Sequence, residues 1–334
     1  MYIDWKSDKV QRVYTGTIIF VGLVVMFCLR LLPNDIGTWV FDIFIMAIAG
    51  MAVYEIMKAK KAEKRGVAPY YIYAYMVGAY VIFMIGIITV FPMWLHLLMQ
   101  VVVFGIFAFY TFIMNFVDKD FVKEMALKKQ KVARGALQTS IEFAKIAGYP
   151  FLMLFSMVFM NHLHRWAETP LVDGGEKVAV AMVSMLSLLL VFVISCFTDT
   201  FAYVIGSKLG GKKLCPKISP NKTISGAVGG LFGGTIGAMI VLLIFALDST
   251  SPLSVFLAGQ LGQAIGVIFF ILIGIMGSAI TMAGDIYASW LKRKCEIKDF
   301  GKLLPGHGGV MDRLDGICFN AVFIWLMMMF VVFL

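Results

Sequence analysis

A chain of 334 residues that is 60% hydrophobic and only 15% charged lacks the polar surface a soluble domain of that size needs. Its formal charge of +9 would suit a nucleic-acid binder if the chain were soluble; in a membrane protein it implies cationic loops on one face and anionic partners, with no nucleic acid. The five cysteines, Cys28, Cys196, Cys215, Cys295 and Cys318, are scattered without a C-x-x-C pair, which favours free thiols over a disulfide or zinc framework.

A helix needs roughly 20 apolar residues to cross a bilayer, and such runs recur along the chain. Nine spans are expected, near 13–32, 37–57, 69–91, 93–117, 144–164, 178–198, 226–247, 257–283 and 316–334, giving an all-α, polytopic fold. The first apolar stretch is long and has no small-residue cleavage site after it, so it reads as a retained span rather than a signal peptide. Pro33, Pro69, Pro92 and Pro252 stand at the proposed boundaries, where proline is best tolerated. Between the fourth and fifth spans, 118–145 sets Phe121, Val122, Met125, Val132 and Ala136 roughly on one helical face among lysines. That pattern fits an interfacial amphipathic helix and an ordinary basic loop equally well. The seventh span opens with Gly226, Gly230 and Gly234, and with Gly229, Gly233 and Gly237, a spacing that lets helix backbones approach closely.

Of the 29 lysines and arginines, all but Arg30, Arg165 and Lys177 fall on one set of alternating segments. The positive-inside rule makes that set cytoplasmic, and an odd span number then puts the N-terminus inside and the C-terminus outside. The sequence divides into an N-terminal membrane region with basic loops, 1–143, and a C-terminal region, 144–334, that carries the chemistry. His162 and His164, on the outer side, and His96 read as incidental.

Two cytoplasmic segments are polar, rich in glycine and dense in charge. The first, 199–226, holds Lys208, Lys212, Lys213, Lys217 and Lys222, with Ser219, Thr223 and Ser225 just ahead of a helix. Free N–H groups at a helix start suit phosphate; an ordinary Ser/Thr cap in a solvated basic loop fits as well. The second, 284–315, has Asp285 at the end of a span, where a carboxylate needs a partner or a metal. Asp312 and Asp315 share a face at the start of the last helix, and His307 is flanked by glycines. Carboxylates among cations suit a magnesium–nucleotide site, or a set of interfacial salt bridges.

The run Ser289, Lys292-Arg293, Lys298-Asp299, Gly301, Pro305-Gly306-His307-Gly308-Gly309, Asp312-Arg313-Leu314-Asp315 resembles the signature of the phosphatidate cytidylyltransferases, or CDP-diacylglycerol synthases. Asp199-Thr200-Phe201-Ala202-Tyr203 and Ser219-Pro220-Asn221-Lys222-Thr223 resemble two further elements of that family. The resemblance is strong over about 199–315; the N-terminal half matches only as a hydrophobic multi-span region. Two positions depart from the family pattern, Ser225 and Ala288, where the family usually carries glutamate.

The resemblance implies that CTP and phosphatidate give CDP-diacylglycerol and pyrophosphate, at the cytoplasmic face of a bacterial plasma membrane rich in anionic lipids. It implies Asp285 and Asp312 as Mg²⁺ ligands, with Asp315 an additional carboxylate and the number of cations left open. Ser219, Lys222 and Thr223 would hold CTP phosphates. Lys292, Arg293, Lys298 and Arg313 would neutralise the lipid phosphate or pyrophosphate, Asp199 would help hold a cation or orient a lysine, and His307 could donate to a phosphate. A CTP-dependent lipid kinase of the polyprenol or phytol type, and a transporter, are the competing readings; homodimerisation is left open.

Overall fold

The computed structural model describes residues 8–32, 36–60, 69–88, 93–117, 123, 125–127, 132–163, 178–247, 260–306 and 308–333. In chain order these form α1 (Asp8–Arg30), α2 (Ile36–Lys60), α3 (Pro69–Ile88), α4 (Met93–Val117), α5 (Val132–Asn161), α6 (Val178–Leu209), β1 (Lys213–Cys215), β2 (Ser219–Thr223), α7 (Ile224–Ala246), α8 (Gln260–Lys294) and α9 (Met311–Phe333). Among the described residues, 5 helices contain a stretch long and apolar enough to cross a membrane: Ile36–Lys60, Trp94–Ile113, Ser184–Leu209, Ile224–Ala246 and Ala264–Lys294. The fold is thus that of an all-α membrane protein, with one antiparallel β1–β2 hairpin added.

Three expected boundaries move. α5 begins at Val132 and runs unbroken through residues 143 and 144, so the second half of 118–145 is neither a separate interfacial helix nor a loop. Residues 118–122, 124 and 128–131 lie outside the described residues. α6 continues to Leu209 and α8 to Lys294, so residues 199–209 and 284–294 are helical rather than loop. At 1.5 Å per residue, the 32 residues of α6 and the 35 of α8 far exceed the roughly 30 Å of hydrocarbon. Their polar ends extend past the apolar stretch because a helix ladder needs only backbone groups.

The ends of these extensions are set by local geometry. Gly210, at φ 59, donates its N–H to Gly206 O (3.1 Å) and stops α6 in the left-handed conformation glycine favours. α8 stops at Glu296, also left-handed at φ 57. There Glu296 N donates to Arg293 O (3.1 Å) and Ile297 N to Lys292 O (3.0 Å), the paired bonds of a Schellman cap.

α7 packs into α6 and α8 through the glycine stripe. A β-carbon at Gly233 would fall 2.4 Å from Phe201 Cβ, and one at Gly226 2.8 Å from Ala202 O. The expectation of close backbone packing therefore holds, and it holds the 199–209 extension against the start of α7. Polar side chains tie α6 to α8 and α9 inside the apolar core: Thr198 Oγ1 donates to Ser278 Oγ (2.9 Å), and Asn320 Nδ2 to Val191 O (3.0 Å) and Ser195 Oγ (3.1 Å). Aromatic contacts join α9 to α5, with Trp325 edge-on to Phe155 at 5.3 Å.

His162 is not incidental. It and Asp42 are fully buried, with His162 Nε2 2.7 Å from Asp42 Oδ2. Asp42 also accepts from Tyr80 Oη (3.0 Å) and Asn161 Nδ2 (2.7 Å). Asn161 in turn accepts from Arg30 Nε (2.5 Å). This knot fastens α1, α2, α3 and α5; a buried carboxylate persists where it is paired and bonded in this way. His96 packs edge-on against Phe83 at 5.7 Å, and His164 lies outside the described residues.

Candidate active site

The hairpin places the first cation. β1 and β2 pair with Lys213 opposite Thr223 and Cys215 opposite Ser219, and Ile224 N donates to Lys212 O (2.9 Å), tying the hairpin to α7. Thr223 turns inward and its hydroxyl accepts Gly226 N–H (3.1 Å), capping α7. Because neighbouring residues on a strand point to opposite faces, Lys222 projects the other way. Its Nζ lies 2.5 Å from Asp285 Oδ2 on α8.

A second lysine–carboxylate pair forms about two turns further along α8. Lys292 Nζ donates to Asp312 Oδ1 (2.8 Å), and Asp312 Oδ2 accepts two backbone N–H groups, from Phe300 (2.9 Å) and Gly309 (2.9 Å). Asp312 is thereby buried with both oxygens engaged, and it cinches the 295–310 loop onto the start of α9. Glycine is required inside this cinch: Gly306 and Gly308 have φ 74 and 84, and a β-carbon at Gly308 would sit 2.9 Å from Asp312 Oδ2. Asp315, one turn on, accepts from Gly316 N (2.9 Å).

The two pairs face one cavity of about 530 Å³, roofed by the 199–209 extension of α6 and lined by Asp199, Lys222, Asp285, Lys292, Arg313 and Asp315, among others. That size suits a small ligand. Asp285 interacts electrostatically with both Asp199 and Asp315, and with Asp312 four carboxylates share the space with the cationic Lys222, Lys292 and Arg313.

Of the residues picked out from sequence, Lys222, Thr223, Asp285, Lys292, Asp312, Arg313 and Asp315 meet at this cavity. Ser219 sits on β2 opposite Cys215, away from the lining. Arg293 points to the carbonyls of Ile218 and Ile297, each at 3.4 Å. Lys298 lines a separate groove, and His307 lies outside the described residues. At the two departures, Ser225 donates to Gly210 O and Ala288 is buried in α8; neither lines the cavity.

Sequence reading missed Glu55. It is 5% exposed near the end of α2, and its carboxylate accepts Val310 N (3.0 Å) and Met311 N (2.8 Å), capping α9 from across the molecule. Gly301 and Gly309 crowd it so closely that a β-carbon at either would overlap its oxygens. A carboxylate embedded in an otherwise apolar run was the signal available.

Among the described residues no three His, Cys, Asp or Glu side chains gather as a ready metal cage. The donor set instead matches an ion that takes one or two carboxylates and completes its shell with phosphate oxygens and water, the habit of Mg²⁺. Asp285, Asp312 and Asp315 all line the cavity and are of the right type; Asp285 is paired with Lys222, and Asp312 holds Lys292 and two N–H groups, which leaves Asp312 fewer free lone pairs for an ion.

The model of the cytidylyltransferase family matches residues 10–331. The chain belongs to that family. Three proteins named phosphatidate cytidylyltransferase are similar to this cytidylyltransferase-family chain. The one from Bacillus subtilis (strain 168) is 26% identical over 333 residues, 96% of this chain and 98% of its own length. Those from Helicobacter pylori (strain J99) and Mycobacterium bovis are 39% identical over 85 residues and 40% over 89. The chain spans only 32% and 26% of the lengths of these two, while the matches cover 23% and 26% of this chain. The expectation of family membership, drawn from the 199–315 motifs, is borne out over nearly the whole chain.

Proposed function

We propose that this protein is a phosphatidate cytidylyltransferase, transferring cytidylate from CTP to phosphatidate with release of pyrophosphate. The observation that carries this reading is the facing of Lys222–Asp285 and Lys292–Asp312 across one cavity, at 2.5 and 2.8 Å, in a chain of the cytidylyltransferase family. The relatives' names support the choice of lipid.

The phosphate monoester of phosphatidate has a second pKa near 6, so its attacking oxygen is already mostly ionised at neutral pH and no strong general base is needed. That oxygen bonds to the α-phosphorus as the bond to the bridging oxygen of the β-phosphate breaks. The obstacle is bringing two polyanions together and stabilising the departing charge, a task for positioned cations. Lys222, Lys292 and Arg313 bind phosphate oxygens. Thr223, committed to capping α7, fixes the direction of Lys222, and Asp312 fixes that of Lys292. A Mg²⁺ held by Asp285 and Asp315 would neutralise charge on CTP and on the leaving pyrophosphate. Every residue named here falls in 144–334, which is the catalytic region; 1–143 supports it through Glu55.

The full topology belongs to the same reading. Nine helices cross a bacterial plasma membrane, with the N-terminus inside and the C-terminus outside. The cavity opens to the cytoplasm, where CTP is available. Support comes from the lysine and arginine distribution and from the cationic ends of α2 and α8. In purified protein given CTP, phosphatidate should yield a CDP-lipid and diacylglycerol, which lacks the nucleophile, should yield none. Equal reaction of diacylglycerol would overturn the assignment.

A further inference from the structure

A second hollow, of about 1110 Å³, lies between α2, α3 and residues 297–303 and shares no lining residue with the catalytic cavity. Its α2 wall is a stripe, Ala47, Gly50, Met51 and Tyr54, spaced as one helical face and ending one turn later at Lys58. Met51 and Tyr54 remain exposed, at 39% and 55%. Tyr73 closes the side, donating to Gly50 O at 3.3 Å. At the polar end, Lys58, Lys298 and Lys302 converge on the same hollow, all exposed and without an ion-pair partner among the described residues. Lys58 Nζ stands 5.9 Å from the centre of the Tyr54 ring. Two acids also line it. Glu55 is turned away onto Val310 and Met311, leaving Asp299 against three lysines.

An apolar groove along a membrane helix, ending in a cluster of lysines, has the shape and charge of an anionic phospholipid. We propose that this groove holds such a lipid, separate from the substrate in the catalytic cavity. One acyl chain lies along the α2 stripe and the headgroup phosphate sits among Lys58, Lys298 and Lys302. Its floor is functional. Phe300 lines the groove, its N–H donates to Asp312 Oδ2 (2.9 Å), and its ring lies 5.5 Å from Lys292 Nζ. A lipid seated here steadies the loop that holds the Lys292–Asp312 pair, so anionic lipid that is not a substrate raises turnover. The effect on turnover rests on the cytidylyl-transfer reading; occupancy of the groove does not.

Phosphatidylglycerol is the probe, because its phosphodiester cannot serve as the nucleophile. Native mass spectrometry of the full-length protein should show retained phosphatidylglycerol in preference to phosphatidylcholine. K58Q/K302Q should lower that retention roughly tenfold or more, each lysine near an anionic lipid contributing about a fivefold factor. Gly50→Leu, which fills the acyl half and leaves the charges, should lower it as well. In phosphatidylcholine vesicles, wild type and K58Q/K302Q should turn over equally, and added phosphatidylglycerol should stimulate the wild type alone. Unchanged retention in K58Q/K302Q overturns the site. Stimulation of the wild type by inorganic phosphate, to the level phosphatidylglycerol gives, would mean that the groove reads a phosphate and not a lipid. Retention without stimulation overturns the link to the loop while leaving the transfer reaction intact.

Discussion

Asp312 has a structural role whatever else it binds. Its oxygens are divided between Lys292 and the N–H groups of Phe300 and Gly309, so it sets the shape of the loop and the aim of a lysine. Asp285, half-buried and paired with Lys222, keeps the chemistry of a charge-handling group. Asp285→Asn should therefore cost about a hundredfold or more in turnover in a protein that still inserts and purifies, and chelation of Mg²⁺ should abolish wild-type activity. Full activity of Asp285→Asn in the presence of chelator would remove both Asp285 and the ion from the mechanism. Asp312→Asn should lose activity and also expose the 295–310 loop to limited proteolysis. An intact loop would contradict its ordering role. The cavity residues were legible because they cluster in two short segments rich in charge and glycine. Glu55 was not, since the N–H groups it caps are 255 and 256 positions away, and nothing local in α2 points to them.

At the level of the elements, the apolar runs located the helices and misjudged several ends. Hydrophobicity marks the part of a helix that meets lipid, whereas α6 and α8 end where the backbone turns left-handed, at Gly210 and Glu296. Gly210 is a readable stop signal; Glu296 is not, because a glutamate rarely adopts that conformation. Replacing it should help: Glu296→Gly removes roughly 1–2 kcal/mol of left-handed strain against about 0.5–1 kcal/mol of added unfolded-state freedom. A small rise in thermal midpoint is expected, and a fall would show that the glutamate side chain holds the cap. The glycine stripe of α7 was readable from spacing alone, and its partners give it a sharper test. A β-carbon at Gly234 would meet Ser278 Oγ and Thr198 Oγ1 at 1.9 and 2.5 Å. Gly234→Val should thus destabilise by about 1–3 kcal/mol or more, read as a lower midpoint in detergent, while Gly105→Val, with open space around it, should not. The hairpin escaped the sequence because its strands are only 3 and 5 residues long and polar.

For the whole molecule, the proposed orientation and the proposed anionic substrates both rest on the distribution of lysine and arginine. Single cysteines placed at 58–66 or 207–218 on a cysteine-free background should be shielded from an impermeant thiol reagent added outside, and one at 168–175 should react; labelling of all three from one side would contradict the proposed topology. If Lys222, Lys292 and Arg313 capture the phosphates as proposed, the KM for CTP should rise with ionic strength, and a KM indifferent to salt would argue against that capture. The most direct test of the reaction follows the phosphorus atoms. With CTP labelled at the α position, label should enter the organic-extractable lipid; with CTP labelled at the γ position, it should leave as pyrophosphate. Entry of γ-label into lipid, with α-label left in CDP, would mean a lipid kinase, and label in neither lipid fraction would mean no transfer chemistry at all.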